Sequence, residues 1–172
     1  MAAVSLADRL DHRLRCITPG LVTLILALVP VLPFGWSVPH PAVPALTLMA
    51  AYYWTLYRPD LLPPAAIFAI GVVQDLVGGG LVGVTALTLL VTYGALLNHR
   101  KLFLGKPFWL AWAGFAVVAI AAGALQYGLI ALLYWRLPAG SQAVMQAATS
   151  ILAFPLLAWF FIRTHRRVVA RV

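Results

Sequence analysis

Long unbroken stretches of apolar residues alternate with short polar breaks along the chain. The stretches cover residues 17–36, 42–57, 61–77, 81–97, 108–135 and 143–162. None alternates with a period of two, as a barrel strand would, so the pattern predicts helices. Crossing ~30 Å of hydrocarbon takes ~20 residues, which leaves the second to fourth stretches short and the fifth long enough to tilt. Turn-forming residues mark the divisions: Ser37-Val-Pro-His-Pro41, Arg58-Pro-Asp60 and Gly78-Gly-Gly80. The predicted architecture is an all-α integral membrane protein, a bundle of six transmembrane helices in one domain over residues 1–172. Residues 1–16 are a cytoplasmic amphipathic segment, 17–162 the six spans and 163–172 a basic cytoplasmic tail.

Composition strengthens this picture. Of 172 residues, 63% are apolar and 9% charged, and the mean hydropathy is +0.97. Six spans consume most of the chain and leave no room for a soluble enzyme domain. The net charge of +8 would suggest nucleic acid if the twelve Lys and Arg formed one patch. They lie instead at the ends of apolar stretches, and no nucleic-acid partner is expected. Counted by alternate ends, Arg9, Arg13, Arg15, Arg58, Arg100, Lys101, Lys106, Arg163, Arg166, Arg167 and Arg171 fall on one side and Arg136 alone on the other. Basic residues collect on the cytoplasmic side, so both termini are placed there. Tyr52, Tyr53, Trp54 and Tyr57 beside Arg58, Trp159 four residues before Arg163, and Tyr134 with Trp135 read as interfacial aromatic belts. Leu6, Leu10 and Leu14 interleaved with Arg9 and Arg13 suggest a helix lying on the inner leaflet. The stretch after the N-terminal arginines has no small-residue cleavage site and reads as a retained first helix, not a signal peptide. Cys16 is the single cysteine, which excludes an intrachain disulfide.

Candidate chemistry is sparse. There is no H-E-x-x-H, Ser-x-x-Lys, P-loop or paired carboxylate, and His12, His40, His99 and His165 fall in or beside loops. Neither catalysis nor a metal or other cofactor is expected. Asp75, next to Gln74, is the acidic residue inside an apolar stretch. A buried charge there costs ~3 kcal/mol or more, so two readings stand: a functional group, or an interfacial carboxylate that caps the following turn. Phe68, Gly71, Asp75, Gly79 and Gly83 recur at three- and four-residue steps, spacing that permits close backbone approach and makes Gly71, Gly79 and Gly83 packing candidates. Thr85, Thr88, Thr92, Ala95 and His99 continue as a weakly polar stripe, so the third and fourth spans should pack as a tight hairpin. Gln142, Gln146, Thr149 and Ala153, and Ala119, Gly123 and Gln126, form comparable stripes, read as packing. No span by itself offers several convergent polar groups for a small ligand. Trp54, Arg58, Pro59 and Asp60 form a cytoplasmic turn, in which Trp54 and Arg58 are spaced for a cation–π contact, Arg58 and Asp60 for an ion pair, and Asp60 for capping the next helix.

The series W-x-x-x-R-P-D at residues 54–60, then F-x-x-G-x-x-x-D-x-x-x-G-x-x-x-G-x-x-A-L from Phe68 through Gly71, Asp75, Gly79 and Gly83 to Ala86 and Leu87, resembles the bacterial rod shape-determining protein MreD family. It covers about a quarter of the chain, while length and span count fit along the rest. The turn departs from the family, which often carries Ser and Pro where this chain has Gly78-Gly-Gly-Leu81. The resemblance implies a non-enzymatic scaffold or regulatory component of the cell-elongation, peptidoglycan-synthesising machinery of the inner membrane. Implied partners are a bitopic MreC-like protein and, indirectly, MreB, RodA and the elongation penicillin-binding protein, with membrane lipid around them. The family also looks like the six-helix substrate-binding subunits of energy-coupling-factor transporters, which supplies an alternative: a small-molecule carrier or vitamin-binding subunit.

Overall fold

The structure, a computed structural model, describes residues 20–31, 43–103, 105–134 and 140–169. Among the described residues the regular elements are all helical: α1 (20–28, running into a 3-10 turn at Val29–Val31), α2 (Leu46–Tyr57), α3 (Pro64–Gly78), α4 (Val84–His99), α5 (Phe108–Tyr134) and α6 (Gly140–Val169). The amphipathic segment 1–16, Cys16, the 37–41 break, Trp135 and Arg136 lie outside these residues.

Helix boundaries follow proline chemistry. Pro44 disfavours helical geometry in the residue before it, and α2 begins two residues after it. At the other end Arg58 donates its amide to the Trp54 carbonyl at 2.7 Å, and Pro59, lacking an N–H, cannot extend the ladder. A 3-10 turn, Pro59–Leu61, then leads to α3, which opens on Pro64 after an extended Pro63. This geometry corrects the capping role expected of Asp60: the carboxylate sits in the 3-10 turn, and no side chain caps α3. Arg58 and Asp60 form no ion pair among the described residues, consistent with the small free energy of exposed pairs.

The core is built around α2. All ten residues from Thr47 to Leu56 are buried, a helix apolar all round and enclosed by protein on every side. It contacts α4, α5 and α6, while α3 packs on α4 and α5 on α6. Tyr52 is 1% exposed; its ring meets Phe115 and Phe154 edge-on, and its hydroxyl donates to the Ala111 carbonyl at 2.9 Å. Tyr53 stacks on Phe161, and Trp54 leans on the same ring. The belt expected of Tyr52, Tyr53 and Trp54 is therefore corrected to an interior aromatic cluster, with Tyr57 alone half-exposed. Aromatic rings beside an arginine read as an interface in one dimension; a central helix places them among its neighbours instead. The cation–π pair among the described residues joins Arg163 to Trp159 at 5.5 Å, not Arg58 to Trp54.

The outside is as apolar as the inside. Leu76, Val117, Leu132, Leu152, Leu156 and Phe160 are all exposed, large apolar side chains of the kind that mark contact with a membrane or another protein. Among the described residues two helices are long and apolar enough to cross a membrane, over Phe108–Leu133 in α5 and Gly140–Phe161 in α6; α3 is apolar but shorter. With 12 residues α2 extends ~18 Å, shorter than the ~30 Å of a bilayer's hydrocarbon.

Candidate functional site

Asp75 sits near the C-terminal end of α3, 6% exposed, and serves both sides of the turn that follows. Its backbone carbonyl accepts the amides of Gly79 and Gly80, ending α3. Its carboxylate accepts the amide of Gly83 at 2.7 Å and that of Thr85 at 3.1 Å, starting α4. The residue at the α4 cap position, Gly83, has no side chain, so a carboxylate from the preceding helix satisfies amides that the cap cannot reach. A negative group there also meets the positive end of the α4 dipole. Of the two readings of Asp75, this hydrogen bonding supports the cap.

The glycines around Asp75 have distinct tasks. A Cβ on Gly71 would overlap the Cα of Ala86 and lie 2.8 Å from its nitrogen, so the α3 and α4 backbones touch there. Gly79 (φ 67°) and Gly83 (φ 102°) occupy the left-handed region, with open space where a Cβ would point. The four-residue spacing thus unites one close approach with two turn conformations, not a continuous groove. Phe68 and Leu87 face outward, and Ala86 is fully buried. The threonine stripe enters the interior mainly at its start: Thr88 is buried, Thr85 and Thr92 are half-buried, and Ala95 and His99 are exposed. Thr88 and Thr92 donate to the carbonyls of Val84 and Thr88, and the His99 ring bonds that of Ala95.

Beside Gln74 lies a partly open cavity of about 150 Å3, where α1, α3 and α5 end and α2, α4 and α6 begin. Thr47, Gln74, Thr85, Thr88, Gln126, Gln146 and Ser150 line it, and none of its lining residues among the described ones is charged. Ser150 accepts the Ala45 amide at 2.8 Å and donates to the Gln146 carbonyl at 2.6 Å, tying the start of α2 to α6. The Thr47 hydroxyl and Gln74 Oε1 are buried without a partner. No single helix supplies more than two of these polar groups, as expected span by span; the fold collects them from α2 to α6.

A family model described as rod shape-determining protein MreD matches residues 13–167, nearly the whole chain. The chain belongs to the MreD family. It is accordingly a membrane-associated, rod-shape-determining component, from a family of shape-determining structural proteins. No curated protein and no solved structure shows significant similarity to the chain.

The series that carries the MreD resemblance, Gly71 through Leu87, coincides with the α3–α4 hairpin, and Trp54 to Asp60 with the end of α2 and its turn. Trp54 is buried with its indole N–H unpaired, while Arg58 and Asp60 are exposed. Arg100, outside the pattern, donates from Nε to the Leu56 carbonyl at 3.0 Å and fastens α4 to this turn. Thr47 and Ser150 had no stripe to announce them. The available signal was depth: Thr47, Gln74, Thr85, Gln126 and Gln146 all lie within roughly two turns of the same helix ends.

Proposed function

We propose that this MreD-family chain is a multi-pass protein of the bacterial inner membrane, with six spans and both termini in the cytoplasm. It acts as a non-enzymatic scaffold of the cell-elongation machinery by holding partner transmembrane helices. The first partner is a single-pass MreC-like protein; MreB, RodA and the elongation penicillin-binding protein follow through it. The observation that carries this reading is the use made of the motif residues: Gly71, Asp75, Gly79 and Gly83 hold two helices in a fixed relation. A rigid bundle suits a scaffold, because association in lipid draws on close van der Waals packing and a few hydrogen bonds, both of which need a surface of constant shape.

The polar cavity favours a second reading, a small-molecule-binding subunit of a vitamin-type transporter. Affinity purification in mild detergent with mass spectrometry of the recovered proteins distinguishes the two. Single-pass and wall-synthesis partners are expected; recovery of an ATPase-coupled module in their place would favour the carrier.

A further inference from the structure

The cavity has a neighbour. Between the halves of α5 and α6 nearest it runs an open groove of about 590 Å3, lined among the described residues by small and apolar side chains with Tyr127 as the one hydroxyl. Gly123, Ala143 and Ala147 line both spaces. Where cavity and groove meet, therefore, the wall consists of the smallest side chains available, and beside Gly123 there is open space where a Cβ would stand.

The chemistry on the two sides differs. Inside, the Thr47 hydroxyl, on a residue 3% exposed, and Gln74 Oε1 have no partner. Buried polar atoms of this kind are ordinarily satisfied, so these two call for an occupant that hydrogen-bonds. The glutamine oxygen can only accept, which requires a donor such as a hydroxyl. With no charged residue in the lining among the described residues, a phosphate or ammonium head would sit without a counter-charge from them in a low-dielectric site. Outside, the apolar groove matches a hydrocarbon chain.

We propose that cavity and groove together bind a membrane amphiphile with an uncharged, hydroxyl-bearing head: the head lies among Thr47, Gln74, Gln126 and Gln146, and one acyl chain lies between α5 and α6. The ligand reaches the site sideways from the bilayer. The proposal rests on the bundle standing in a membrane and is independent of which protein partner it holds.

The test uses the full chain in mild detergent, with dioleoylglycerol as the neutral probe, dioleoylphosphatidylglycerol as the anionic one and free glycerol as the tail-less one, and native mass spectrometry to count what stays bound. One dioleoylglycerol per chain is expected, undisplaced by the anionic lipid and not replaced by glycerol. Gly123→Leu fills open space in a helix and closes the passage; Thr47→Val keeps the shape and removes the unpaired hydroxyl. Each is expected to lower occupancy about tenfold, the scale of one lost hydrogen bond or one blocked subsite. Lipid-free thermal stability should stay unchanged, and Leu152→Phe on the outer face should leave binding intact. Equal retention in all variants, displacement by phosphatidylglycerol, or glycerol bound as well as diacylglycerol would overturn the proposal.

Discussion

Asp75 shows how one residue can define a turn inside an apolar protein. Its carbonyl closes one helix and its carboxylate opens the next, so four backbone amides depend on it. An asparagine would keep the shape and an acceptor oxygen. A leucine would strand the amides of Gly83 and Thr85, each costing ~1–3 kcal/mol when left unpaired. Asp75→Asn is therefore expected to retain thermal stability in detergent within about 1 kcal/mol, and cell shape at matched membrane levels, while Asp75→Leu loses both. An Asn variant as defective as Leu, yet folded, would show that charge itself is the function. Sequence alone left the two readings of Asp75 open because depth in a bilayer is not written in a one-dimensional pattern. The partners that support the cap, amides eight and ten residues downstream, emerge only once the hairpin is folded.

At the scale of helices, Gly71 and α2 mark the limits of what the pattern could tell. The helical character of the stretches and the α3–α4 hairpin were legible, because apolar runs without two-residue alternation have one solution and Gly78-Gly-Gly80 separates two of them. Which face of each helix meets protein was not legible: where lipid and core are equally apolar, hydrophobicity no longer distinguishes them. That is why Tyr52, Tyr53 and Trp54 read as a belt while they form the interior. Gly71 is identifiable as an interface only through the Ala86 backbone it touches. Gly71→Leu is expected to force α3 from α4 and abolish both normal cell shape and co-purification of the single-pass partner, whereas Leu152→Ala on the outer face leaves both near wild type. Equal sensitivity at the two positions would argue against assembly through a rigid bundle.

For the whole molecule, the cavity is the feature furthest from a sequence reading, since its polar residues come from five helices and no stretch holds more than a few. It also depends on the path of the chain. Its lining gathers where odd-numbered helices end and even-numbered ones begin, the end that carries Arg136 alone in the split of basic residues. If the chain crosses the membrane six times, the cavity and the Asp75 turn both face outward and the Arg58 turn faces the cytoplasm. Losing or adding one crossing would scatter these features over two sides. The placement of scaffold, cavity and partner helix all rests on that alternation, and a reporter enzyme active only outside the cytoplasm reads it directly. Fusions near His40, Gly79 and Gly140 are expected to be active, and fusions near Asp60, Lys106 and the C-terminus inactive; activity at Lys106 would contradict the six-span bundle.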